Sequence, residues 1–376
     1  MRLLFASTVP QTLDLFMRGQ LSWIAAHGHD VHVVSSPGAP LDALASREGV
    51  QAHAIPMVRD ISARDDPIAL AAWVGLIRRL RPDVTVVSTP KAALLGGISA
   101  SLLRVPRRVY LMRGARFEGA TGRGRDALVA AERLTCSAAH RVIAVSPSLA
   151  CVALEARVVA PGKLATVGDG SSNGVDVTRF HPPSPDERHL ARARWGLGPS
   201  DIGVAFVGRL SADKGLDVLR EALRGMPRTD SRVVLLLAGP DEGAGLRPPA
   251  GDRLAARQLG HVDDVPGLLH ACDVLALPTQ REGFPNVVLE AAACGLPVVT
   301  TDATGAVDSV VDDVTGFVVG RRDGEAFGRA LARLADDAAL RARLGAAARR
   351  RVETAFDQRK VWEGMYREYL GLSRDG

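Results

Sequence analysis

The chain has 376 residues, of which 47% are apolar and 24% charged, a length and a balance typical of a globular protein with two domains. No apolar run reaches the ~18 residues that would span a bilayer, so the sequence predicts no transmembrane segment. The net charge of +5 favours anionic partners. Because only 4% of the residues are aromatic and no basic run is interleaved with them, nucleic acid is not an expected partner.

The amino-terminal residues Met1–Ser7 are a candidate first β-strand. Their apolar run is too short for a secretory signal, so we expect a cytoplasmic protein. The four cysteines lie far apart and form no Cys-x-x-Cys pair, which is typical of reduced thiols in the cytosol. They are Cys136, Cys151, Cys272 and Cys294.

Short apolar runs alternate with longer amphipathic stretches, a pattern that predicts parallel sheets covered by helices. In the first half the predicted strands are Arg2–Thr8, Asp30–Ser36, Asp83–Thr89, Arg107–Arg113, Arg141–Ser146 and Leu164–Gly168, and the predicted helices are Leu13–His27, Pro67–Leu80, Ala92–Leu103 and Gly124–Ala139. In the second half the predicted strands are Gly203–Val207, Val233–Ala238, Val274–Pro278 and Val298–Thr301, and the predicted helices are Gly215–Gly225, Val265–Ala271, Asn286–Cys294 and Gly324–Asp336.

Two consecutive series of strands and helices predict an α/β protein with two Rossmann-like domains. The junction falls at residues 173–185, where glycines and prolines interrupt both periodicities. We therefore assign residues 1–176 to the first domain and residues 177–354 to the second. Residues 355–376 form a last amphipathic helix, whose concentrated apolar face needs a partner surface. We expect this helix to pack back on the body of the protein, toward the N-terminal domain.

The segment from Glu282 to Glu290 carries the strongest functional signal. It follows a predicted strand and opens a helix, and Pro285 suits the first helical turn because its missing N–H is no loss there. The free N–H groups of a first turn form an anion site with the helix dipole, at the sheet edge where doubly wound folds bind ligands. Two carboxylates beside an anion site suit hydroxyl groups on either side of it, those of a ribose and of a sugar. The alternative is one surface glutamate and one that interacts with the helix dipole.

The second signal is the loop from Gly208 to Gly215, directly after a predicted strand. Gly208 lets the backbone approach a ligand closely, and Arg209 and Lys214 place two cations at the mouth of the sheet. A departing nucleoside diphosphate gains negative charge, which fixed cations stabilise where other enzymes use a divalent metal. The sequence has no Asp-x-Asp pair and no cluster of His or Cys, so we expect chemistry without a metal or another cofactor. A solvated basic loop is the alternative for this segment taken alone.

Together, these two segments resemble family 4 of the retaining glycosyltransferases, which have the GT-B fold of two facing Rossmann-like domains. The resemblance rests on Gly208-Arg209-Leu210, Asp213-Lys214-Gly215, Glu282-Gly283-Phe284-Pro285-Asn286, Glu290-Ala291 and Gly295-Leu296-Pro297-Val298-Val299. It extends along nearly the whole chain, through Gly28-His29-Asp30-Val31, Ala144-Val145-Ser146 and Asn173-Gly174-Val175-Asp176. It implies an acceptor-side first domain and a second domain that binds the nucleotide-sugar.

The resemblance also implies roles for single residues. Arg209 and Lys214 would bind the donor diphosphate, Glu282 would contact the donor sugar, and Glu290 would bond the ribose. The whole donor site would comprise Gly208, Arg209, Lys214, Glu282, Gly283, Phe284, Pro285, Asn286, Val287 and Glu290, with Arg209, Lys214 and Glu282 as the catalytic residues. The family transfers sugars with retention, commonly explained by same-face attack within an ion pair, so no nucleophile is assigned.

Two loops depart from the family pattern. Many members have His-Gly after the fourth strand of the first domain, whereas this chain has Arg113-Gly114. Arg113 can donate hydrogen bonds to a sugar or a phosphate but cannot act as a neutral base. The first loop, which borders the acceptor side, begins at Thr8 and lacks the glycine pair common in the family. Thr8, Lys91 and Arg113 are therefore candidates for the acceptor side or for sugar contact.

The motifs around Thr8, Lys91 and Arg113 also resemble a bacterial branch that builds capsule, exopolysaccharide or O-antigen units. Members commonly transfer N-acetylhexosamines or related sugars from UDP to lipid-diphosphate-linked acceptors. We therefore expect a nucleotide-sugar donor and a glycan, lipid-linked or small-molecule acceptor. Basic residues of the first domain favour peripheral contact with the anionic inner face of a membrane, with solvated helix ends as the alternative. They are Arg78, Arg79, Arg81, Arg104, Arg107 and Arg108.

Other functions compete with this interpretation. A glycosyltransferase of a secondary-metabolite pathway would share the fold and the donor site and differ only in its acceptor loops. A catalytically idle nucleotide-sugar-binding protein is the alternative from another class, and the presence of Arg209, Lys214 and Glu282 argues against it. A dehydrogenase is excluded because no Gly-x-Gly-x-x-Gly follows an early strand.

Overall fold

The computed structural model describes residues 1–58, 62, 64–243 and 253–372. The chain divides into two compact units. The first comprises Met1–Asn173 together with the segment that begins at Arg359, and the second comprises Gly174–Gln358. Each unit is built around one parallel sheet with helices on it, so the predicted α/β class is confirmed.

In the first unit, the described residues form one parallel sheet in the order β3-β2-β1-β4-β5-β6-β7. Its strands are β1 (Arg2–Ala6), β2 (Asp30–Ser35), β3 (Gln51–Ala54), β4 (Val84–Ser88), β5 (Arg107–Met112), β6 (Arg141–Ala144) and β7 (Leu164–Ala165). Its helices are α1 (Pro10–Met17), α2 (Gln20–Ala26), α3 (Ala39–Glu48), α4 (Asp65–Leu80), α5 (Pro90–Leu102), α6 (Gly122–Ala138) and α7 (Pro147–Glu155).

In the second unit, the sheet order over the described residues is β10-β9-β8-β11-β12-β13. The strands are β8 (Ile202–Val207), β9 (Val233–Ala238), β10 (Leu254–Gly260), β11 (Val274–Leu277), β12 (Val298–Thr301) and β13 (Gly316–Val319). The helices are α8 (Pro185–Arg194), α9 (Leu216–Gly225), α10 (Val265–Ala271), α11 (Asn286–Ala293), α12 (Gly324–Asp336) and α13 (Ala338–Ala355). Phe206, Leu235 and Phe327 lie in the apolar core between this sheet and its helices.

The strands that the sequence did not predict are β3, β10 and β13, and all three lie at sheet edges. An edge strand has a neighbour on one side only and is less buried, so its apolar pattern is weak. The four residues of β3 are all exposed or half-buried, and β10 has no fully buried residue. The central strands β1, β4 and β8 are buried on both faces, which is why their continuous apolar runs were visible.

The predicted helix Leu13–His27 is wrong in one respect, because the structure divides it into α1 and α2. Gly19 separates them with φ +76°, a left-handed conformation that favours glycine. A Cβ at this position would lie 2.8 Å from the Trp362 ring. The Gly19 N–H also donates to the Glu48 carboxylate, at 3.0 Å from Oε2. Both partners are remote in sequence, so the local periodicity does not reveal the break.

The last helix, α14 (Gln358–Leu370), packs on the first unit. The Trp362 indole N–H donates to Asn173 Oδ1 at 2.6 Å. Near the other end of the helix, the Glu368 carboxylate accepts two hydrogen bonds from the Arg141 guanidinium, at 2.8 and 3.2 Å. Apolar packing and a bidentate ion pair thus hold the helix along its length.

Candidate active site

The order of the second sheet places its switch point between β8 and β11. These strands are neighbours in the sheet, whereas the chain passes through β9 and β10 between them. The carboxyl edge at such a switch point is where doubly wound sheets bind ligands. The two segments singled out in the sequence, from Gly208 and from Glu282, are these two loops.

The two loops are in direct contact. Gly215 ends the first loop with φ +73°, and a Cβ there would lie 1.8 Å from the carbonyl oxygen of Pro278 in the second. Only glycine permits this approach. The Gln280 N–H also donates to the carbonyl oxygen of Asp213 at 3.0 Å. The backbone therefore fixes the spacing between the side chains that the loops carry.

The structure brings together two of the predicted catalytic residues, Lys214 and Glu282. Lys214 Nζ lies 2.5 Å from Glu282 Oε1, and the two side chains are only 19% and 13% exposed. The buried Thr279 hydroxyl donates to the same carboxylate oxygen at 3.1 Å. The Glu282 N–H donates to the carbonyl oxygen of Thr304, in the loop after β12, at 2.9 Å. Glu282 is therefore held by groups from three loops.

Arg209 lies at the more open side of the same edge and is 40% exposed. It donates from Nη1 to Glu242 Oε2 at 2.6 Å and from Nη2 to Asp213 Oδ2 at 2.9 Å. Burial alone would raise the pKa of Asp213, but a hydrogen bond from Ser211 and the charges of Arg209 and Lys214 outweigh it and lower the pKa. Both predicted diphosphate cations are thus paired with carboxylates.

Helix α11 begins at Asn286, the first residue of the predicted helix Asn286–Cys294, with Pro285 as its N-cap residue. Pro285 therefore precedes the first turn rather than lying in it, which corrects the sequence interpretation. The N–H groups of the first turn, including those of Asn286 and Val287, have no acceptor within an α-helix by geometry. Phe284 is buried and packs against Phe356, with ring centroids 5.4 Å apart. Gly283 is half-buried at the turn.

Glu290 is the fifth residue of α11 and is half-buried. Burial raises the pKa of its carboxyl to about 7, against the opposing charge of Arg179. In the described part of the chain, no hydrogen bond or ion pair joins it to Arg209, Lys214 or Glu282. Glu290 therefore lies about one turn inside α11, separate from the ion pairs of Lys214 and Arg209.

The predicted residues of the first unit lie at the carboxyl edge of the first sheet. Thr8 is buried, and its hydroxyl lies 2.8 Å from that of Thr89, the residue after β4. Lys91 is also buried, and its Nζ lies 2.5 Å from Asp66 Oδ1. Thr8 also accepts from the N–H of Ala92, the residue after Lys91, at 3.3 Å.

Arg113 lies apart from these contacts, after β5. Its Nη1 donates to the Ser172 hydroxyl at 2.5 Å, and its guanidinium lies 4.8 Å from the centre of the Phe16 ring. Burial lowers its pKa to about 10, while neighbouring Tyr369 opposes the shift. Among the described residues, its Nε and Nη2 are buried without a hydrogen-bond partner. The Arg113 guanidinium is thus hydrogen-bonded through Nη1, while Nε and Nη2 have no described hydrogen-bond acceptor.

Sequence reasoning assigned no role to three residues that hold Arg209 or Glu282 at this edge of the sheet: Asp213, Glu242 and Thr279. Asp213 was visible only as part of a motif. Thr279 follows β11 by two residues and Glu242 follows β9 by four residues, so position after a strand is the signal that could have found them. Over the residues the structure covers, no group of three His, Cys, Asp or Glu side chains could hold a metal ion. Within the same residues, no helix is long and apolar enough to cross a membrane.

Comparison with known families identifies the protein class. The family described as "Glycosyl transferases group 1" matches residues 187–351, and "Glycosyltransferase Family 4" matches residues 20–179. The capsular polysaccharide biosynthesis glycosyltransferase CapM of Staphylococcus aureus is 33% identical over 96% of this chain and 96% of its own length. The chain belongs to the group 1 glycosyltransferases. The family that the sequence motifs predicted is thereby confirmed, and the protein is a glycosyltransferase.

Other similarities are narrower or concern the fold alone. A D-inositol 3-phosphate glycosyltransferase of Salinispora arenicola is 37% identical over 47% of this chain and 44% of its own length. Anabaena HepE, solved in complex with UDP, aligns with a TM-score of 0.78 at 22% identity over 99% of this chain and all of its own. The lipopolysaccharide glycosyltransferase WaaG aligns with a TM-score of 0.70 at 19% identity, over 96% of this chain and 98% of its own. The GT-B fold is confirmed.

Proposed function

We propose that this glycosyltransferase transfers a hexose or an N-acetylhexosamine from a UDP-sugar to a glycan or lipid-linked acceptor in cell-surface polysaccharide synthesis, with retention and without a metal. The observation that carries the proposal is the placement of two cations, each paired with a carboxylate, at the switch point of the second sheet: Lys214 with Glu282, and Arg209 with Asp213 and Glu242. Similarity to CapM, whose name specifies capsular polysaccharide biosynthesis, supports the pathway. Similarity to HepE, which was solved in complex with UDP, supports uracil as the base of the donor.

Donor binding is an exchange of anions in this proposal. The diphosphate oxygens replace Glu282 at Lys214 and Glu242 at Arg209, so each cation keeps an anionic partner throughout. Because the loop backbone is fixed by the contact of Gly215 with Pro278, the two cations are already in position when the sugar leaves. Preorganised charge of this kind stabilises a developing diphosphate without reorganisation.

Glu282 gains a new role when Lys214 turns to the diphosphate. Its carboxylate, still held by Thr279, faces a donor sugar whose ring becomes positively charged as the bond to the phosphate breaks. Opposite charges in a site from which water is excluded attract strongly. The acceptor hydroxyl then attacks from the face that the diphosphate leaves, which retains the configuration and requires no protein nucleophile.

Glu290 binds the two ribose hydroxyls in this proposal. A carboxylate accepts hydrogen bonds from both hydroxyls of a diol, whereas a protonated carboxyl has less acceptor capacity. With a pKa of about 7, Glu290 changes charge near neutral pH. Donor binding therefore favours its ionised form and releases a proton below that pH.

Metal independence rests on the two cations, which supply the charge that Mg²⁺ or Mn²⁺ would otherwise supply. Transfer should persist in excess EDTA at the rate measured without it. Loss of transfer on chelation, restored by Mg²⁺ or Mn²⁺, would contradict this part of the proposal while leaving the transferase itself intact.

The donor base is tested by thermal unfolding with UDP, GDP and ADP in parallel. A ligand at 100 times its dissociation constant should stabilise the protein by about 2.7 kcal/mol, and we expect this from UDP alone. Lys214→Ala should reduce the shift, with Arg329→Ala on the exposed face of α12 as the control. A larger thermal stabilisation by GDP or ADP than by UDP would show that the donor carries guanine or adenine instead of uracil.

A second acceptor class is favoured by one comparison, because the names of several partial relatives specify D-inositol 3-phosphate, a soluble acceptor. Transfer from the stabilising UDP-sugar to a lipid-diphosphate-linked sugar should therefore be measured beside transfer to soluble acceptors. Transfer to soluble acceptors alone would favour the small-molecule pathway. If the protein catalyses neither transfer nor donor hydrolysis, it is an idle nucleotide-sugar-binding protein.

The proposed site of action is the cytoplasmic face of the membrane, with peripheral contact through the first unit. The six arginines predicted for that contact do not behave alike. Arg107 donates to the carbonyl oxygen of Glu368 and Arg108 to that of Ala138, at 2.9 and 2.7 Å. These two tie the fold together, so the contact would fall to the remaining four.

A further inference from the structure

A surface cavity of about 560 Å³ opens at the amino-terminal edge of the first sheet. Its wall contains the ends of α4 and α5 and the segments that lead into β4 and β5. This edge is opposite to the one that carries Thr8, Lys91 and Arg113. The cavity is therefore separate from the candidate donor and acceptor residues, but three of the four arginines left for the proposed membrane contact line it, and the inference below rests on that part of the proposed function.

Three arginines line the cavity: Arg78 in the last turn of α4, Arg81 just after it, and Arg104 just after α5. All three are exposed. Within the described residues, their guanidinium groups make no hydrogen bond or ion pair. Asp83 is the acidic residue of the wall, and one of its oxygens already accepts from the backbone N–H of Arg2 at 2.7 Å. The cavity thus carries an excess of unpaired positive charge.

Arginines at helix ends commonly interact with the exposed carbonyl groups there. In this cavity that explanation is weakened, because other donors already satisfy carbonyl groups of both helix ends. At the end of α4, the Arg81 N–H donates to Ile77 at 2.8 Å, and the guanidinium of Arg2 donates to Leu80. At the end of α5, the backbone N–H groups of residues 103–105 donate to the carbonyl groups of residues 99–101. The three guanidinium groups remain available to a ligand.

The backbone gives a second observation. Arg81 has φ +47° and Arg104 has φ +52°, left-handed conformations that are sterically unfavourable for a residue with a side chain. Glycine or asparagine is the common choice at such positions after a helix. Two arginines therefore occupy unfavourable positions on the wall of one cavity, and among the described residues their side chains make no hydrogen bond or ion pair.

We propose that this cavity is a binding site for a phosphate group carried by a small molecule or by a lipid headgroup. Guanidinium groups bind phosphate oxygens in a bidentate geometry, and three arginines line this cavity. Cavities of 300–1,000 Å³ are of the size that binds small ligands, so this one has room for the group attached to the phosphate. The site would hold the first unit at an anionic ligand independently of the donor site.

Arg81→Gly and Arg104→Gly test the proposal without threatening the fold, since glycine suits both backbone positions. Arg157→Gly is the matched control, because Arg157 is an exposed arginine of the same unit with φ +53°. Isothermal titration of the full-length chain with glycerol 3-phosphate should show saturable binding. Each cavity variant should weaken it at least about tenfold, which corresponds to 1.4 kcal/mol, and the control should not.

Vesicles separate the two sources of phosphate. If phosphatidylglycerol vesicles sediment the wild-type chain but not the double variant, and glycerol 3-phosphate competes, the ligand is a lipid headgroup. Binding of glycerol 3-phosphate without sedimentation indicates a soluble ligand, and either result supports the site. Absence of saturable binding, an equal loss in Arg157→Gly, or sedimentation that glycerol 3-phosphate does not reverse would overturn it. Arg104→Asn should reproduce Arg104→Gly, because asparagine also tolerates this conformation.

Discussion

At the carboxyl edge of the second sheet, Arg209 and Lys214 are held by carboxylates from other loops, whereas at the same edge of the first sheet Thr8 is held by a hydroxyl and backbone groups. The first kind of contact can be exchanged for a phosphate oxygen with little loss. The second kind can be exchanged only by breaking the local fold. Two edges of the same topology thus differ in whether a ligand can replace their internal partners.

This difference explains why the donor half of the family is readable from sequence. A site that binds an invariant diphosphate needs the same cations at the same spacing, so it is carried by short motifs. Lys91 of the first unit is a cation too, but it is more deeply buried than Arg209 or Lys214, with its side chain 6% exposed, and its partner Asp66 lies on α4.

The largest expected effect comes from removing the exchangeable cations. Lys214→Ala and Arg209→Ala should each lower kcat at least ~100-fold, the range for loss of one preorganised charge-stabilising group. Steady-state transfer with a saturating acceptor measures it. Arg329→Ala, which removes an exposed arginine from an ion pair on α12, is the control. Near-normal turnover in both site variants, with folding intact, would mean that the cations do not contact the diphosphate.

Replacing the two glutamates should separate their roles. Glu282→Gln should lower kcat by ~10-fold or more, because a hydrogen bond to a charged group is worth roughly 1.5–3 kcal/mol and the ring is charged only in the transition state. Glu290→Gln should chiefly raise the donor KM, because the ribose contact is the same before and during transfer. Weaker binding of free UDP by Glu282→Gln, with Glu290→Gln unaffected, would reverse the orientation of the donor.

The pH dependence of the donor kcat/KM should follow Glu290. Burial raises the pKa of this carboxyl to about 7, and the ribose binds its ionised form, so kcat/KM should rise with pH. A group with this pKa changes from about one-tenth to about nine-tenths ionised between pH 6 and pH 8, which predicts a rise of up to about tenfold. The step should vanish in Glu290→Gln. A profile that falls over this range would show that the protonated carboxyl binds the donor.

In the first unit, Thr8→Val should act on stability. Its hydroxyl lies 2.8 Å from Thr89 Oγ1 and is buried, and loss of one such hydrogen bond costs about 1 kcal/mol. Urea unfolding measures the change, with Thr354→Val, whose hydroxyl is exposed on α13, as the control. A large loss of acceptor affinity at unchanged stability would show that Thr8 faces a ligand, and the contrast between the two edges would fail.

The sequence revealed the central strands and both donor motifs because these depend on local pattern. Continuous apolar runs mark strands that are buried on both faces, such as β4 and β8. The motif around Lys214 and the motif around Glu282 each follow such a strand, so their meeting at one edge could be predicted from the parallel topology. The break at Gly19 could not, because Glu48 and Trp362 impose it from remote parts of the chain.

The residues that pair with the site residues in the free protein could not be predicted either, because most of them are remote in sequence. Glu242 and Asp213 both bind Arg209, but only the second is close to it in sequence. Likewise, Lys91 was proposed as an acceptor-side residue because of its motif, and its bond to Asp66 depends on how α4 packs. Charge in a motif predicts chemistry, whereas the partner of that charge in the free protein depends on the tertiary structure.

The smallest effect should be a gain in affinity rather than a loss. Glu242 and the donor diphosphate compete for Arg209 if binding is an exchange, and Glu242 is 47% exposed, so its ion pair is weak. Exposed pairs are worth about 0.2–1 kcal/mol. Glu242→Gln should therefore tighten UDP binding roughly 1.4- to 5-fold by titration, and the gain should shrink with added salt because the pair is screened. Glu325→Gln, which weakens the exposed pair on α12, should change nothing. Weaker UDP binding in Glu242→Gln would mean that Glu242 orients Arg209 for the donor instead of competing with it. The contact between Glu242 and Arg209 would then be structural, like the contacts of Thr8 in the first sheet, and the contrast between the two edges would be smaller.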